Sequence, residues 1–181
     1  TVTDAQGTEV TITDVDRVLA LDVYGTLSRT VFELGLGDTL VGRDVSTQFA
    51  EAEDLPLVTQ NGHDLNAEAI LELDPTLILT DTSLGPWDVM LQMRDSGIPV
   101  VVVDSHRGLD NLSSLTAEVA AALGVPDAGT TLAERTEAEV AEVFGPAFVD
   151  LLPVQVEVRV RLVRLGEGVP EALHGATPAA G

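Results

Sequence analysis

The sequence predicts an α/β fold in which an open, mainly parallel twisted sheet carries helices on both faces. Short apolar runs at residues 17–21, 76–81 and 100–104 have the length and composition of buried parallel strands. Between these runs, apolar residues recur at helical spacing, and Gly or Pro ends the segments. Strands that alternate with helices in this way predict parallel pairing through right-handed crossovers.

The remaining elements follow from helix start and stop signals. Asn66 offers an N-cap side chain to the segment after it, and Pro75 ends that segment because proline disfavours helical geometry in the preceding residue. Residues 45–64 form a connection of about twenty residues, a length that favours a functional or mobile loop. The other predicted elements are strands at residues 9–12 and 40–44 and helices at 26–34, 86–96, 112–123 and 130–143.

Composition limits the partners of the chain. Its 181 residues are 45% hydrophobic, and because only 3% are aromatic, the core must consist of Leu, Val, Ala and Ile. The net charge of −21 argues against binding to nucleic acid or, unaided, to an anionic membrane surface. The absence of Cys excludes disulfides, thiolate metal sites and cysteine nucleophiles. Because the chain starts at Thr1 without a basic and apolar leader, we expect that a signal peptide has been removed.

Three regions of the chain differ in character. Residues 1–125 contain the predicted sheet and its helices, and residues 126–147 contain a long helix. Residues 148–181 depart from this pattern, since Val and Leu alternate with Gln, Glu and Arg over 154–165 and Gly, Ala and Pro follow. We expect this tail to be irregular, with one exposed β-segment.

The carboxyl ends of the strands are the predicted binding site, because ligands of parallel sheets bind outside those ends. The loops there contain Asp22, Asp44, Asp81 and Asp104, and His63 stands at the entrance of the next helix. We therefore expect these loops and His63 to line one edge of the sheet. The candidate ligand contacts are Tyr24, Gly25, Arg43, Asp81, Thr82, Ser83, Trp87, His106 and Arg107.

The candidate side chains each allow two interpretations. A neutral imidazole at His63 or His106 is a suitable axial ligand for iron, yet a single loop histidine without a second ligand nearby is more often a surface residue. Arg43 and Arg107 either grip carboxylates of a ligand or offset the charges of neighbouring Asp residues. The two aromatic candidates either stack on a flat ligand or pack locally.

Asp22 raises the alternative of a small α/β enzyme. Residues 22–27 resemble the Asp-x-x-Gly-Thr-Leu motif of haloacid dehalogenase-type phosphatases, in which the first Asp is a nucleophile. Those enzymes usually carry a second Asp two residues later and a Lys further on, whereas this chain has Tyr24 and no Lys. It also contains no phosphate loop and no Gly-x-Ser-x-Gly elbow. The enzyme is therefore the less favoured alternative.

The longer motifs resemble one family. Residues 65–79, which read Leu-Asn-Ala-Glu-Ala-Ile-Leu-Glu-Leu-Asp-Pro-Thr-Leu-Ile-Leu, resemble the substrate-binding proteins of class III ABC importers for ferric siderophores, cobalamin or haem. Residues 32–42 and 97–101 fit the same pattern. Around Gly62, His63 and Asp64, the chain is most similar to the haem-binding lipoproteins of actinobacterial-type importers.

This resemblance implies the N-terminal lobe of a periplasmic-binding-protein-like fold, followed by an interlobe helix and a truncated or frameshifted tail in place of the second lobe. It implies haem as the transported ligand, His63 as the ligand of the haem iron, and no enzymatic activity. The implied partners are an ABC permease and its ATPase. The implied location is extracytoplasmic, as a lipoprotein held at the cytoplasmic membrane only by a lipid anchor that this chain does not contain. A ferric siderophore or cobalamin is the alternative cargo.

Overall fold

The structure is a computed structural model that describes residues 1–144. Its strands are β1 (Val2–Thr3), β2 (Glu9–Val10), β3 (Val18–Leu21), β4 (Thr59–Gln60), β5 (Asp64–Leu65), β6 (Leu77–Thr80) and β7 (Val100–Val102). Its helices are α1 (Thr26–Val31), α2 (Ala67–Glu72), α3 (Asp88–Asp95), α4 (Leu112–Ala122) and α5 (Pro126–Phe144). Strands β3, β6 and β7 pair in parallel in that order, which confirms the predicted fold class.

Two apolar cores lie on opposite faces of this sheet. One face, with side chains such as Ala20, Leu79 and Val101, packs against α1, α4 and the start of α5. The other face, with Leu21 and Ile78, packs against α2 and α3. Successive residues of a strand point to opposite faces, so the continuous apolar runs of the sequence supply both cores at once. The prediction of helices on both faces is confirmed.

The predicted strand at residues 40–44 is wrong in extent. Only two isolated parallel bridges form there, one from Leu40 to Val18 and one from Arg43 to Leu57. The segment changes its hydrogen-bonding neighbour at Gly42, where an added Cβ would lie 2.6 Å from a Leu73 methyl group. A segment that leaves one partner after a single bridge cannot form a ladder, and periodicity alone does not reveal this.

The long connection at residues 45–64 has structure of its own. It contains a helical turn at Ala50–Ala52 and ends in a short antiparallel hairpin, in which Gln60 of β4 is paired with Asp64 of β5. The turn of this hairpin is formed by residues 61–63, and its Asn61 and Gly62 have φ of 49° and 95°. Asn-Gly pairs adopt such positive φ readily, which is why they favour tight hairpins.

The ends of the helices follow their capping signals in part. Asn66 is the N-cap of α2 as predicted, because its Oδ1 accepts a hydrogen bond of 3.2 Å from the Ala69 backbone N–H. Helix α5 begins at Pro126 and not at residue 130, since a proline in the first turn loses no hydrogen bond. Helix α1 ends at Val31 and not at the predicted residue 34, and a wider π-helical turn follows it at Phe32–Leu36.

Residues 1–135 form one compact unit, and of residues 136–181 the structure describes only the end of α5. The predicted tail at residues 148–181, with its β-segment, lies outside the described residues. The domain boundaries at residues 125 and 147 therefore stay predictions. Within residues 1–144, none of the helices combines the length and the apolar character needed to cross a membrane.

Candidate ligand-binding rim

The loops that follow β3, β6 and β7, at residues 22–26, 81–87 and 103–108, are here called the rim. On one side of β3, Leu40 forms a parallel bridge with Val18 of this strand. On the other side, β3 pairs with β6, and β7 follows beyond β6. The order of the strands thus reverses beside β3. In open α/β sheets, ligands bind at such a switch point, outside the carboxyl ends of the strands.

Two buried carboxylates shape the loops beside this switch point. Asp22 accepts a hydrogen bond of 3.1 Å from the backbone N–H of Leu27, in the first turn of α1. Asp44 accepts hydrogen bonds from the backbone N–H groups of Ser46, at 2.7 Å, and Asp22, at 3.2 Å. Because both side chains are fully buried, desolvation raises the pKa of each above its ordinary value.

The raised pKa of Asp44 predicts a pH dependence of folding that Asp44→Asn removes. The protonated carboxyl stabilises the fold below the unfolded-state pKa of 3.8, and this contribution is lost as the pH rises through the higher folded-state pKa. In acidic buffers, the free energy of unfolding of the unsubstituted protein should therefore fall more steeply with rising pH than that of the variant. Urea denaturation across the acidic range measures both slopes.

Asp110→Asn is the control for this experiment. A hydrogen bond with His106 lowers the pKa of the exposed Asp110, so its contribution is present above the unfolded-state pKa and is lost as the pH falls. This substitution should change the slope in the direction opposite to Asp44→Asn. Equal slopes for the unsubstituted protein and Asp44→Asn would contradict the prediction.

A serine joins the loops that follow β3 and β6. The Ser83 backbone N–H donates to Asp81 Oδ1 at 2.7 Å, and the Ser83 hydroxyl also donates to this oxygen. The same hydroxyl accepts a hydrogen bond of 2.9 Å from the Val23 backbone N–H. The two loops are therefore fixed to each other at the switch point.

Arg107 extends from the loop after β7 across both of the other loops. Its Nη2 donates to Asp81 Oδ2 at 2.8 Å and lies 3.4 Å from Asp22 Oδ2. The guanidinium carbon is 5.7 Å from the centroid of the Tyr24 ring, and 61% of Tyr24 is exposed. The structure thus brings together four predicted contacts, Tyr24, Asp81, Ser83 and Arg107.

His63 lies at the tip of the β4–β5 hairpin, with its side chain exposed. The hairpin is attached to the rim, because Asp64 forms a parallel bridge with Gly85 and the Leu65 backbone N–H donates to the Gly85 carbonyl at 2.6 Å. Among residues 1–144, the His63 imidazole has no hydrogen-bonding or ion-pair partner. Its ring nitrogens are available to an external ligand.

Arg43, which lies beside the rim, and Gly25, which lies within it, both have structural contacts with the long connection. Arg43 Nε donates to the Leu55 carbonyl at 3.2 Å, and Nη1 donates to the Thr47 carbonyl at 3.3 Å, so this guanidinium holds the long connection. A Cβ at Gly25 would lie 2.7 Å from the Ser46 carbonyl oxygen. The backbone at Gly25 therefore packs directly on that connection. Ligand contact by either residue stays a prediction.

The remaining predicted contacts differ in their surroundings. His106 is exposed, and its Nε2 lies 2.9 Å from Asp110 Oδ1. Trp87 is partly buried and packs against the core formed with α2 and α3. Thr82 is exposed in the loop after β6. Their contact with a ligand also stays a prediction.

Asp22 and Asp44 are predicted from the sequence as residues at strand ends, but they are not among the predicted ligand contacts. The recurrence of Asp directly after an apolar run was the available signal. Their complete burial, which raises the pKa of both carboxyl groups, is not visible in the sequence. In the described part of the chain, no group of three or more His, Cys, Asp or Glu side chains is arranged to hold a metal ion.

Comparison with known proteins agrees with this architecture. Residues 23–144 match the family described as Periplasmic binding protein. The chain belongs to the periplasmic binding protein family. This membership confirms the resemblance to substrate-binding proteins that the sequence motifs indicate. No curated protein matches the chain.

Several solved heme-binding proteins are similar to this chain. A mutant of the heme binding protein HmuT is 45% identical with a TM-score of 0.76, over 78% of this chain and 44% of that one. HmuT itself is 43% identical with a TM-score of 0.75, over 78% and 47%. The periplasmic heme-binding protein RhuT from Roseiflexus sp. RS-1 is 33% identical with a TM-score of 0.64, over 71% and 49%. The chain thus spans less than half the length of each of these proteins.

Proposed function

We propose that this chain is the N-terminal lobe of the substrate-binding protein of a haem ABC importer, and that His63 ligates the iron of the transported haem. The similar solved proteins HmuT and RhuT are described as heme binding. They share the fold of this chain over 78% and 71% of its length, and the match spans less than half of each of them, as is expected for one lobe of a two-lobed binding protein. Haem is the cargo in this proposal, and the chain performs no bond chemistry.

The position of His63 is the observation that carries the proposal. Its imidazole is exposed, lacks a partner among residues 1–144 and stands on a hairpin attached to the loop after β6. A neutral imidazole is a common axial ligand of haem iron. A backbone-anchored hairpin keeps such a ligand in place without using the apolar core.

The environment of Asp22 favours binding over catalysis. Its carboxylate is buried, accepts hydrogen bonds from two backbone N–H groups at the start of α1, and faces Arg107. A nucleophile needs free access to its substrate, whereas these contacts occupy the carboxylate oxygens. The alternative of an enzyme that uses Asp22 is therefore the weaker one.

The proposal includes the cellular setting of the chain. Membership of the periplasmic binding protein family supports an extracytoplasmic location. We propose in addition that a lipid anchor holds the protein at the cytoplasmic membrane. Its partners there are an ABC permease and the associated ATPase, to which the loaded protein delivers haem.

Titration with hemin tests the proposal. The full chain should shift the Soret band of hemin on binding, and His63→Ala should abolish the imidazole-type spectrum. The affinity should fall at least about tenfold, since even outer-shell partners of a metal ligand are worth that much. Absorption and electron paramagnetic resonance spectra of both proteins provide the measurement.

The two other histidines provide matched controls. The chain has 3 His residues, so His106→Ala and His174→Ala test whether an imidazole elsewhere in the sequence binds the iron of hemin adventitiously. Both variants should keep the spectrum of the unsubstituted chain. Identical spectra for His63→Ala and the unsubstituted chain would remove the ligand assignment. Displacement of hemin by a ferric siderophore or by cobalamin would instead favour the alternative cargo of this family.

A further inference from the structure

Tyr24 is the most exposed aromatic side chain of the rim, and its backbone is fixed on both sides. The Val23 backbone N–H donates to Ser83 Oγ at 2.9 Å, and the Gly25 backbone N–H donates to the Asp22 carbonyl at 3.2 Å. A tyrosine at such a tight turn has only its side-chain torsions free. The ring therefore presents a large, partly apolar surface to solvent at a low entropic cost.

Arg107 restricts the ring further. Its guanidinium carbon lies 5.7 Å from the Tyr24 ring centroid, within the range of a cation–π contact. The guanidinium itself is held by Asp81 and Asp22, and only 14% of its side chain is exposed. One side of the ring thus faces a fixed cation, while most of the ring surface is open.

The charge of Arg107 is already compensated within the protein. Its Nη2 faces two fully buried carboxylates, Asp22 and Asp81, and a third buried carboxylate, Asp44, lies beside Asp22. With two buried carboxylates at this one guanidinium and Asp44 next to one of them, this part of the rim does not attract a further anion. An anionic edge of a ligand is disfavoured here, whereas a flat apolar face is not.

We infer that Tyr24 packs on the flat face of the porphyrin, and that Arg107 positions the Tyr24 ring instead of binding the propionates. This inference rests on the proposed function and names a second contact of the same site. It assigns selectivity for a planar macrocycle to the loop after β3, separately from the iron ligand on the hairpin.

Metal-free protoporphyrin IX and its dimethyl ester distinguish this contact from iron ligation, because neither contains iron and the ester lacks the propionate charges. Tyr24→Leu should weaken the binding of both compounds by about threefold to tenfold, the value of an aromatic pair beyond its buried area. Tyr24→Phe, which keeps the ring, should bind both like the unsubstituted chain. Porphyrin fluorescence titration measures the affinities.

Leu71→Ala is the control for the loss of an exposed apolar side chain. Leu71 is also exposed, and it lies in the last turn of α2, where the chain approaches the amino end of β6 and not the rim. This variant should leave both affinities unchanged. His63→Ala should weaken hemin alone, so the iron ligand and the aromatic contact are measured independently.

Three results would overturn the inference, and the third would also overturn the proposed function. Unchanged binding of both porphyrins by Tyr24→Leu would remove the aromatic contact and leave the proposed function intact. A loss confined to the free acid would instead assign this part of the rim to the propionates. If the unsubstituted chain binds no porphyrin, the proposed function fails, and the inference fails with it.

Discussion

Arg107→Met is expected to lower the free energy of unfolding at neutral pH by about 3–5 kcal/mol, because it leaves two buried carboxylates without their counter-charge. Nη2 of Arg107 lies 2.8 Å from Asp81 Oδ2 and 3.4 Å from Asp22 Oδ2, and both carboxylates are fully buried. Methionine retains much of the apolar stem, so the loss reports mainly the missing charge. Urea denaturation with a folded-state check by circular dichroism measures this change.

Arg29→Met is the matched control for this prediction. Arg29 forms an ion pair with Glu33, but half of its side chain is exposed, and its replacement should cost less than about 1 kcal/mol. The Arg107 variant should also recover part of its stability in acid, because loss of the guanidinium raises the pKa of Asp22 further. Similar losses for the two variants, or no recovery in acid, would contradict the role given to Arg107.

Gly25→Ala is expected to destabilise the fold by about 2–4 kcal/mol, through backbone strain and overpacking together. Gly25 has φ of +69°, and an added Cβ would lie 2.7 Å from the Ser46 carbonyl oxygen. The Ser46 backbone cannot move away easily, because its N–H donates to the buried Asp44. The midpoint of thermal or urea unfolding should fall accordingly.

Gly124→Ala separates the two causes of this loss. Gly124 has a similar φ of +75°, but nothing lies within 4 Å of its ideal Cβ position. Its replacement should therefore cost only the backbone term, about 1–2 kcal/mol. If the two alanine variants are equally stable, the close approach of Gly25 to Ser46 contributes nothing to the loop after β3.

The sheet and its two cores were predictable because they depend on local patterns. The apolar runs that became β3, β6 and β7 are buried on both faces, and this produces continuous Val, Leu and Ile in the sequence. The cap of α2 was equally local, because Asn66 bonds only three residues ahead. The same holds for Asp22, whose carboxylate reaches the first turn of the helix that follows.

The parts that escaped prediction depend on contacts between distant segments. Arg107 reaches Asp81 and Asp22 only because three loops meet at one edge of the sheet, so neither its partners nor its burial follow from spacing. The predicted strand at residues 40–44 does not form, because the segment pairs with Val18 at Leu40 and already with Leu57 at Arg43. The hairpin before α2 did have a local signal, the Asn61-Gly62 pair, in a segment that is predicted above only as a functional or mobile connection.

In the proposed function, the hairpin that carries His63 separates iron ligation from the stability of the fold. Residues 61–63 are exposed and belong to neither apolar core, while the hairpin is attached to the rest of the protein through backbone bonds. Position 63 is therefore open to residues of other chemistry, such as Tyr or Met, at little cost to folding. Under the proposed function, a single exchange at that turn replaces the iron ligand of this lobe, while the sheet remains as it is.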